Sequence, residues 1–149
     1  MKQMINRKAR HEYFFIEKYE AGVVLQGTEI KSIRQGKVSF KDSFAKIDKR
    51  GEVWLMNLHI SPYEKSTFFN HEATRSRKLL LSKREIKKLN TKIIEGGMTI
   101  IPSMMYINDR GLCKVQIALA KGKKNYDKRD VMQQRDQKRE MDRALKQRY

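Results

Sequence analysis

Short apolar runs, separated by charged or glycine-containing turns, make up much of residues 13–120. Runs this short predict β-strands rather than helices. In the last run apolar side chains occupy every second position from Cys113 to Leu119, which predicts one buried face and one partly solvated face. We therefore expect about six strands, which are Tyr13–Ile16, Gly22–Leu25, Phe44–Ile47, Val53–Leu58, Met98–Ile107 and Leu112–Ala120.

Two of the intervening turns have the composition of β-hairpins. The sequences D-K-R-G at 48–51 and N-D-R-G at 108–111 each end on a glycine that can adopt a positive φ. Each turn joins two of the expected strands, which predicts antiparallel pairing within each pair.

Two other segments have helical features. The sequence S-K-R-E at 82–85 is a capping box, and Ile86, Leu89 and Ile93 follow at helical spacing. A shorter helix is predicted over Thr28–Gln35, with Thr28 as its N-cap. A mainly β chain with two or three short helices and a basic C-terminal tail best matches a small antiparallel OB-like barrel, an architecture that presents an open face to nucleic acids.

Charge adds a class of partner to this fold. The chain carries 34 Lys and Arg against 17 Asp and Glu, a net charge of +17. Residues 121–149 alone hold eleven basic and five acidic side chains and few apolar ones, so this tail is expected to be disordered until a polyanion folds it. Nucleic acid is the expected polyanion and a membrane is not, because the tail lacks a bulky apolar face.

Two further basic clusters lie outside the tail. Residues 6–11, N-R-K-A-R-H, precede Tyr13 and Phe14, and residues 74–78, T-R-S-R-K, lead into three leucines expected to anchor in the core. Interleaved basic and aromatic residues suit contact with an RNA backbone and its bases. The alternative interpretation of 74–78 is a solvated loop before a strand. At this spacing, most of the aromatic residues are expected in the core.

Candidate catalytic chemistry is sparse. His11, His59 and His71 lie in separate segments, and His11 and its neighbour Glu12 would point to opposite faces of a strand, so solvated or RNA-facing histidines are expected. No P-loop, nucleophile elbow or paired-carboxylate motif occurs, and neither enzymatic activity nor a metal or cofactor is expected. Cys113 is expected in the core. A single cysteine and no secretory segment at residues 1–10 predict a cytoplasmic protein.

Four motifs together resemble the SsrA-binding protein (SmpB) family, in family order and spacing from about residue 6 to the C terminus. They are N-R-K-A-R-H-E-Y at 6–13; E-A-G at 20–22 with L-Q-G-T-E-I-K-S-I-R at 25–34; R-S-R-K-L-L-L at 75–81; and A-L-A-K-G-K-K at 118–124 followed by Y-D-K-R at 126–129.

This resemblance implies a protein that binds the tRNA-like domain of transfer-messenger RNA (tmRNA) and carries it to stalled bacterial ribosomes for trans-translation. The body would stand in for the missing anticodon arm, and the tail would become helical in the empty mRNA channel. Peptidyl transfer would remain the ribosome's chemistry, elongation factor Tu would be reached through the shared RNA, and a monomer is expected. On the residues alone, a ribosomal structural protein, an RNA nuclease and a sequence-tolerant single-strand binder stay open.

The resemblance also suggests site residues within two regions, an RNA-binding barrel at 1–120 and a tail at 121–149. Glu20, Leu80 and Lys114 fall where the family needs residues for RNA binding, with Leu80 expected to support the face by packing, and His11 matches the family histidine near the decoding region. The candidate RNA-binding residues are Arg7, Lys8, Arg10, His11, Glu20, Lys31, Arg34, Arg75, Arg77, Lys78, Leu80 and Lys114. The candidate ribosome-binding residues of the tail are Lys121, Gly122, Lys123, Lys124, Asp127, Lys128, Arg129, Arg135, Lys138, Arg139, Met141, Arg143, Leu145 and Lys146.

Overall fold

A computed structural model describes residues 3–66 and 68–123 of the chain. The described residues form nine strands and three helices. In chain order these are β1 (Gln3–Ile5), α1 (Arg7–Glu12), β2 (Tyr13–Val23), α2 (Gly27–Arg34), β3 (Val38–Ser39), β4 (Phe44–Ile47), β5 (Val53–Met56), β6 (His59–Ile60), β7 (Arg77–Leu80), α3 (Lys83–Glu95), β8 (Thr99–Ile107) and β9 (Cys113–Gly122).

Six of the strands close into an antiparallel ring. The order around the ring is β4-β5-β7-β2-β9-β8, and β8 pairs back with β4 through Ala45 and Ile100. Strand β1 pairs antiparallel with residues 104–106 of β8. Strands β3 and β6 form a separate two-stranded sheet. The expectation of a mainly β, OB-like barrel is confirmed.

Both predicted hairpins are present, and each turn is closed by its first side chain. Oδ1 of Asp48 accepts from the amides of Arg50 at 3.0 Å and Glu52 at 2.9 Å. Oδ1 of Asn108 accepts from the amides of Arg110 at 3.1 Å and Leu112 at 2.9 Å. The glycine that ends each turn has a φ of +80°, a conformation that other residues adopt only with strain.

The first two predicted strands are one continuous strand, so their separation was wrong. In β2 the segment between them alternates, with Ala21 buried inside the barrel and Lys18 and Glu20 exposed outside. The sequence hides this alternation because the outward positions Phe14 and Ile16 are apolar. A bulge between Phe15 and Glu17 also shifts the register against β9. The six expected strands also missed four that the structure contains: the four-residue β7, and β1, β3 and β6, which are only two or three residues long.

The capping box of α3 is confirmed, because the Ser82 side chain accepts from the Glu85 amide and the Glu85 carboxylate accepts from the Ser82 amide. Helix α2, however, begins at Gly27 with Gln26 as its N-cap. Thr28 lies inside the first turn, and its hydroxyl hydrogen-bonds Nδ1 of His71 at 2.9 Å. His11 and Glu12 lie on the helix α1, not on a strand as expected.

The barrel interior is apolar and closed to solvent. Val53, Leu55, Val115 and Ile117 have no exposed surface, and Cys113 is 8% exposed, as expected of a core residue. Burial raises the pKa of the Cys113 thiol to about 12, which keeps it protonated and unreactive. None of the described helices is long and apolar enough to span a membrane.

Candidate nucleic-acid interface

Strand register brings three candidate residues from distant parts of the sequence onto one outer face of the barrel. Gly22 of β2 pairs with Leu80 of β7 on one side and with Lys114 of β9 on the other. Glu20 lies two residues along β2, so its side chain points to the same face, opposite Gln116. We call this surface the barrel face and define it by Glu20, Leu80 and Lys114.

Leu80 is an exposed apolar residue of the barrel face, which corrects the expectation that it packs beneath the face. It is 53% exposed, whereas its neighbour Leu79 is 2% exposed and points into the core. Gly22 beside it carries no side chain, and a Cβ at position 22 would come into contact with Cβ of Leu80 at 3.4 Å. Leu80 can therefore meet an RNA base or ribose directly.

Two members of this surface were not among the predicted site residues. Tyr106 of β8 pairs with Lys114, and Gln116 pairs with both Glu20 and Met104. Glu20 is exposed, and Met104, Tyr106, Lys114 and Gln116 are each partly exposed. The alternation in β9 marks Gln116 as outward-facing, and the pairing across the 108–111 turn would have placed Tyr106 beside Lys114.

The predicted basic arm at 74–78 divides between structure and surface. Lys78 points outward from β7 and makes a half-exposed ion pair with Glu52 at 3.3 Å. Arg77 instead has no exposed surface. Its guanidinium donates to the Glu29 carboxylate, to the Leu58 carbonyl at 2.7 Å and to the Ala73 carbonyl at 3.1 Å.

Arg77 therefore cannot contact RNA from this position, which corrects its place among the RNA-binding candidates. Nη2 of Arg75 binds the other oxygen of Glu29 at 2.6 Å and the Val24 carbonyl at 3.2 Å, and its side chain is 28% exposed. Both arginines thus tie the fully buried Glu29 of α2 to the barrel. A sequence pattern cannot separate these arginines from RNA-binding ones, because the partner carboxylate is over forty residues away.

Glu29 stays ionised in this buried position. Burial acts to raise its pKa, but hydrogen bonds from Arg75, the Gln26 amide and Arg77 outweigh burial and hold the pKa below the ordinary value. This Glu29 cluster orients α2, whose Lys31 and Arg34 remain exposed. The guanidinium of Arg34 lies beside Gly111 in the β8–β9 turn, three residues from Lys114.

Helix α1 presents the second set of candidates. Asn6 caps it by accepting from the Ala9 amide at 3.2 Å and fastens it to β8 by donating to the Pro102 carbonyl at 2.8 Å. Ala9 is the buried residue of the helix and packs with Ile101 and Ala120. Its remaining residues are exposed and include all four candidates, Arg7, Lys8, Arg10 and His11.

The described start of the tail lies beside α1. Tyr13, which follows α1, pairs with Gly122 at the end of β9. Lys121 and Gly122 thus belong to β9, two residues beyond the predicted end of that strand, and Nζ of Lys123 lies 5.1 Å from the centre of the Phe14 ring. The other tail candidates, Lys124 to Lys146, lie outside the described residues.

The three histidines differ in their exposure. His11 and His59 are exposed, but His71 is buried, with Nε2 2.8 Å from the Ile60 carbonyl oxygen, which corrects the expectation of a solvated or RNA-facing residue. Among the residues that the structure describes, no group of three or more His, Cys, Asp or Glu side chains could hold a metal ion.

Fold and surface together define a small basic β-barrel of the kind that binds nucleic acids. The model of the SmpB protein family matches residues 3–147. The chain therefore belongs to the SmpB family, and the resemblance inferred from its motifs is confirmed.

Individual proteins of known kind are similar along nearly the whole chain. The SsrA-binding protein of Trichodesmium erythraeum is 58% identical over 95% of this chain and 90% of its own, and that of Desulforamulus reducens is 55% identical over 96% and 88%. A solved structure described as "tmRNA-SmpB: a journey to the center of the bacterial ribosome" matches with a TM-score of 0.70 and 49% identity, covering 81% of this chain and 84% of that one.

Proposed function

We propose that this protein binds the tRNA-like domain of tmRNA and delivers it to stalled ribosomes for trans-translation. Its relatives are named SsrA-binding proteins, and the matching structure concerns tmRNA, SmpB and the bacterial ribosome. The net charge of +17 favours a polyanionic partner.

The observation that carries this proposal is the separation of two candidate surfaces along β9. Lys114, near one end of the strand, belongs to the barrel face. Gly122, at the other end, lies beside α1 and leads into the tail. Eight residues of extended strand span about 26 Å. One molecule can therefore hold an RNA at the barrel face while α1 and the tail meet the ribosome.

Each residue of the barrel face has a chemical use toward RNA. The Lys114 ammonium suits a phosphate, and Leu80 and Tyr106 offer apolar and aromatic surface to bases and riboses. Glu20 repels phosphates but can accept hydrogen bonds from base amino groups or ribose hydroxyls. Such a mixed surface favours a folded RNA of particular shape over any polyanion.

Helix α1 and the tail form the ribosomal side of the proposal. His11 and its basic neighbours project from a helix fixed to the barrel, which suits contact with the decoding region. The tail would follow from Lys123 into the mRNA channel, where ribosomal RNA would neutralise its charge and allow a helix to form. We further propose that the protein acts as a monomer without catalysing a reaction, and that elongation factor Tu joins through the shared RNA.

A competition experiment tests RNA choice. The full chain is titrated into the labelled tRNA-like domain of tmRNA in the presence of unlabelled elongator tRNA, or of a single-stranded homopolymer, at fixed salt. The proposal predicts that a large excess of either competitor leaves the complex intact. Equal competition by tRNA would point to general RNA binding, and stronger competition by the homopolymer would point to a single-strand binder.

A further inference from the structure

The loop between β6 and β7 exposes an unusual amount of aromatic surface. Phe68 is 90% exposed and Phe69 is 87% exposed, more than any other large hydrophobic residue in the described chain. Two adjacent exposed phenyl rings form an apolar patch of the kind that marks a binding site. We call Tyr63–Ser66 together with Phe68–Asn70 the aromatic loop.

The base of the aromatic loop is fixed, so the two rings are presented from a defined position. The Asn70 side chain accepts from the Tyr63 amide at 3.1 Å and donates to the Tyr63 carbonyl at 3.0 Å. Next to it, the buried His71 is held by Thr28 and Ile60. These bonds close the loop onto α2 and β6 and leave the two phenylalanines outside.

Positive charge surrounds the aromatic loop. Nζ of Lys31 lies 5.3 Å from the centre of the Tyr63 ring. Glu64, the acid in this loop, is neutralised by Lys37 at 2.8 Å. Lys65 is exposed, and within the described residues no carboxylate lies within ion-pair distance of it. The loop therefore combines aromatic rings with a net positive charge around them. This combination suits RNA as a partner better than it suits an aliphatic surface of another protein.

Helix α2 connects this loop to the barrel face. Lys31 and Arg34 are three residues apart, so they lie on one side of the helix. Lys31 reaches Tyr63 of the aromatic loop, and Arg34 reaches the turn that precedes Lys114. Helix α2 thus places two exposed cations between the barrel face and the aromatic loop.

We propose that Phe68 and Phe69 form a stacking site for unpaired nucleobases of the RNA bound at the barrel face. The inference rests on the proposed RNA-binding function and adds to it a second, uncharged contact. Aromatic stacking on an unpaired base contributes affinity without neutralising a phosphate. Loss of this contact should therefore weaken binding without changing its salt dependence.

The test measures the affinity of full-length variants for the tRNA-like domain of tmRNA across a range of salt concentrations. Phe68→Ala/Phe69→Ala should lower affinity roughly five- to a hundredfold, the scale of one stacked base, with an unchanged salt slope. Phe68→Leu/Phe69→Leu, which keeps apolar surface but removes the rings, should lose most of the same affinity. Lys65→Ala is the matched control and should reduce the salt slope.

A spectroscopic variant checks stacking directly. The Phe69→Trp variant should bind RNA normally. Its tryptophan fluorescence in excess of the wild type, which contains Trp54, should be quenched when the RNA is added without ribosomes. Wild-type affinity in either double variant, or no quenching by RNA, would overturn the proposal. A signal that arises only with ribosomes would assign the loop to a ribosomal contact instead. If the wild type did not bind the tRNA-like domain at all, the proposed function itself would be refuted.

Discussion

Replacing Arg77 tests whether this side chain supports the fold or contacts RNA. Its guanidinium is fully buried, pairs with Glu29 and donates to the Leu58 and Ala73 carbonyls. Removing one partner of a buried ion pair lowers the free energy of unfolding by about 3–5 kcal/mol. A domain of this kind has about 5–15 kcal/mol in all, so loss of the whole Arg77 side chain would threaten folding. Arg77→Lys keeps the charge but not the planar fork, so it should lose about 1.5–3 kcal/mol, the value of one hydrogen bond to a charged group.

Urea denaturation of full-length variants measures this loss. The matched control is Lys78→Ala on the adjacent residue, whose half-exposed pair with Glu52 should contribute less than about 1 kcal/mol. At a temperature where Arg77→Lys is fully folded, its affinity for the tRNA-like domain should equal that of the wild type. Unchanged stability together with weakened RNA binding would show that Arg77 contacts RNA and that its buried position is wrong.

Three further predictions concern pH, the barrel face and the tail. The pKa of Glu29 in the folded protein lies below its ordinary value of 4.5. The ionised carboxylate therefore stabilises the fold fully above pH 4.5, and this stabilisation is lost as the pH falls through the folded pKa. The difference in unfolding free energy between wild type and Glu29→Gln should shrink during an acid titration, and a constant difference would contradict this. Lys114→Ala should weaken binding to the tRNA-like domain by about 1–2 kcal/mol and lower the salt slope. Lys46→Ala, on a strand that does not pair with β2, β7 or β9, should do neither; equal effects of the two variants would remove Lys114 as a phosphate contact. Ala144→Pro, which costs a helix about 3 kcal/mol, should reduce tagging of stalled chains more than Lys138→Ala, while normal tagging would mean that the tail acts without a helix.

Local patterns predicted the elements whose signals are complete within a few residues. The hairpins at 48–51 and 108–111 are closed by the side chain that begins each turn, and the α3 capping box lies entirely within 82–85. The inward alternation of β9 could also be predicted, since it depends only on which side chains are apolar. The general basic character of the surface followed directly from composition.

Features set by distant contacts could not be predicted in this way. The bulge in β2 depends on its pairing with β9, and the start of α2 depends on where Glu29 and Thr28 find partners. The division of the 74–78 arm into buried Arg77 and half-exposed Lys78 follows from the burial of Glu29, which the sequence around Glu29 does not reveal. Where a buried carboxylate lies close in space to an R-x-R-K motif, the arginines of that motif can support the fold instead of binding RNA.

The separation of RNA binding from ribosome engagement is the central claim, and a truncation after Lys123 tests it most directly. This position keeps β9 and its pairing with β2 intact, because the last register pair is Tyr13 with Gly122. Tagging of a stalled nascent chain is measured in a reconstituted translation system, beside affinity for the tRNA-like domain. We predict near-normal affinity and no tagging. Full tagging by the truncated protein, or loss of its RNA binding, would contradict the division between barrel and tail.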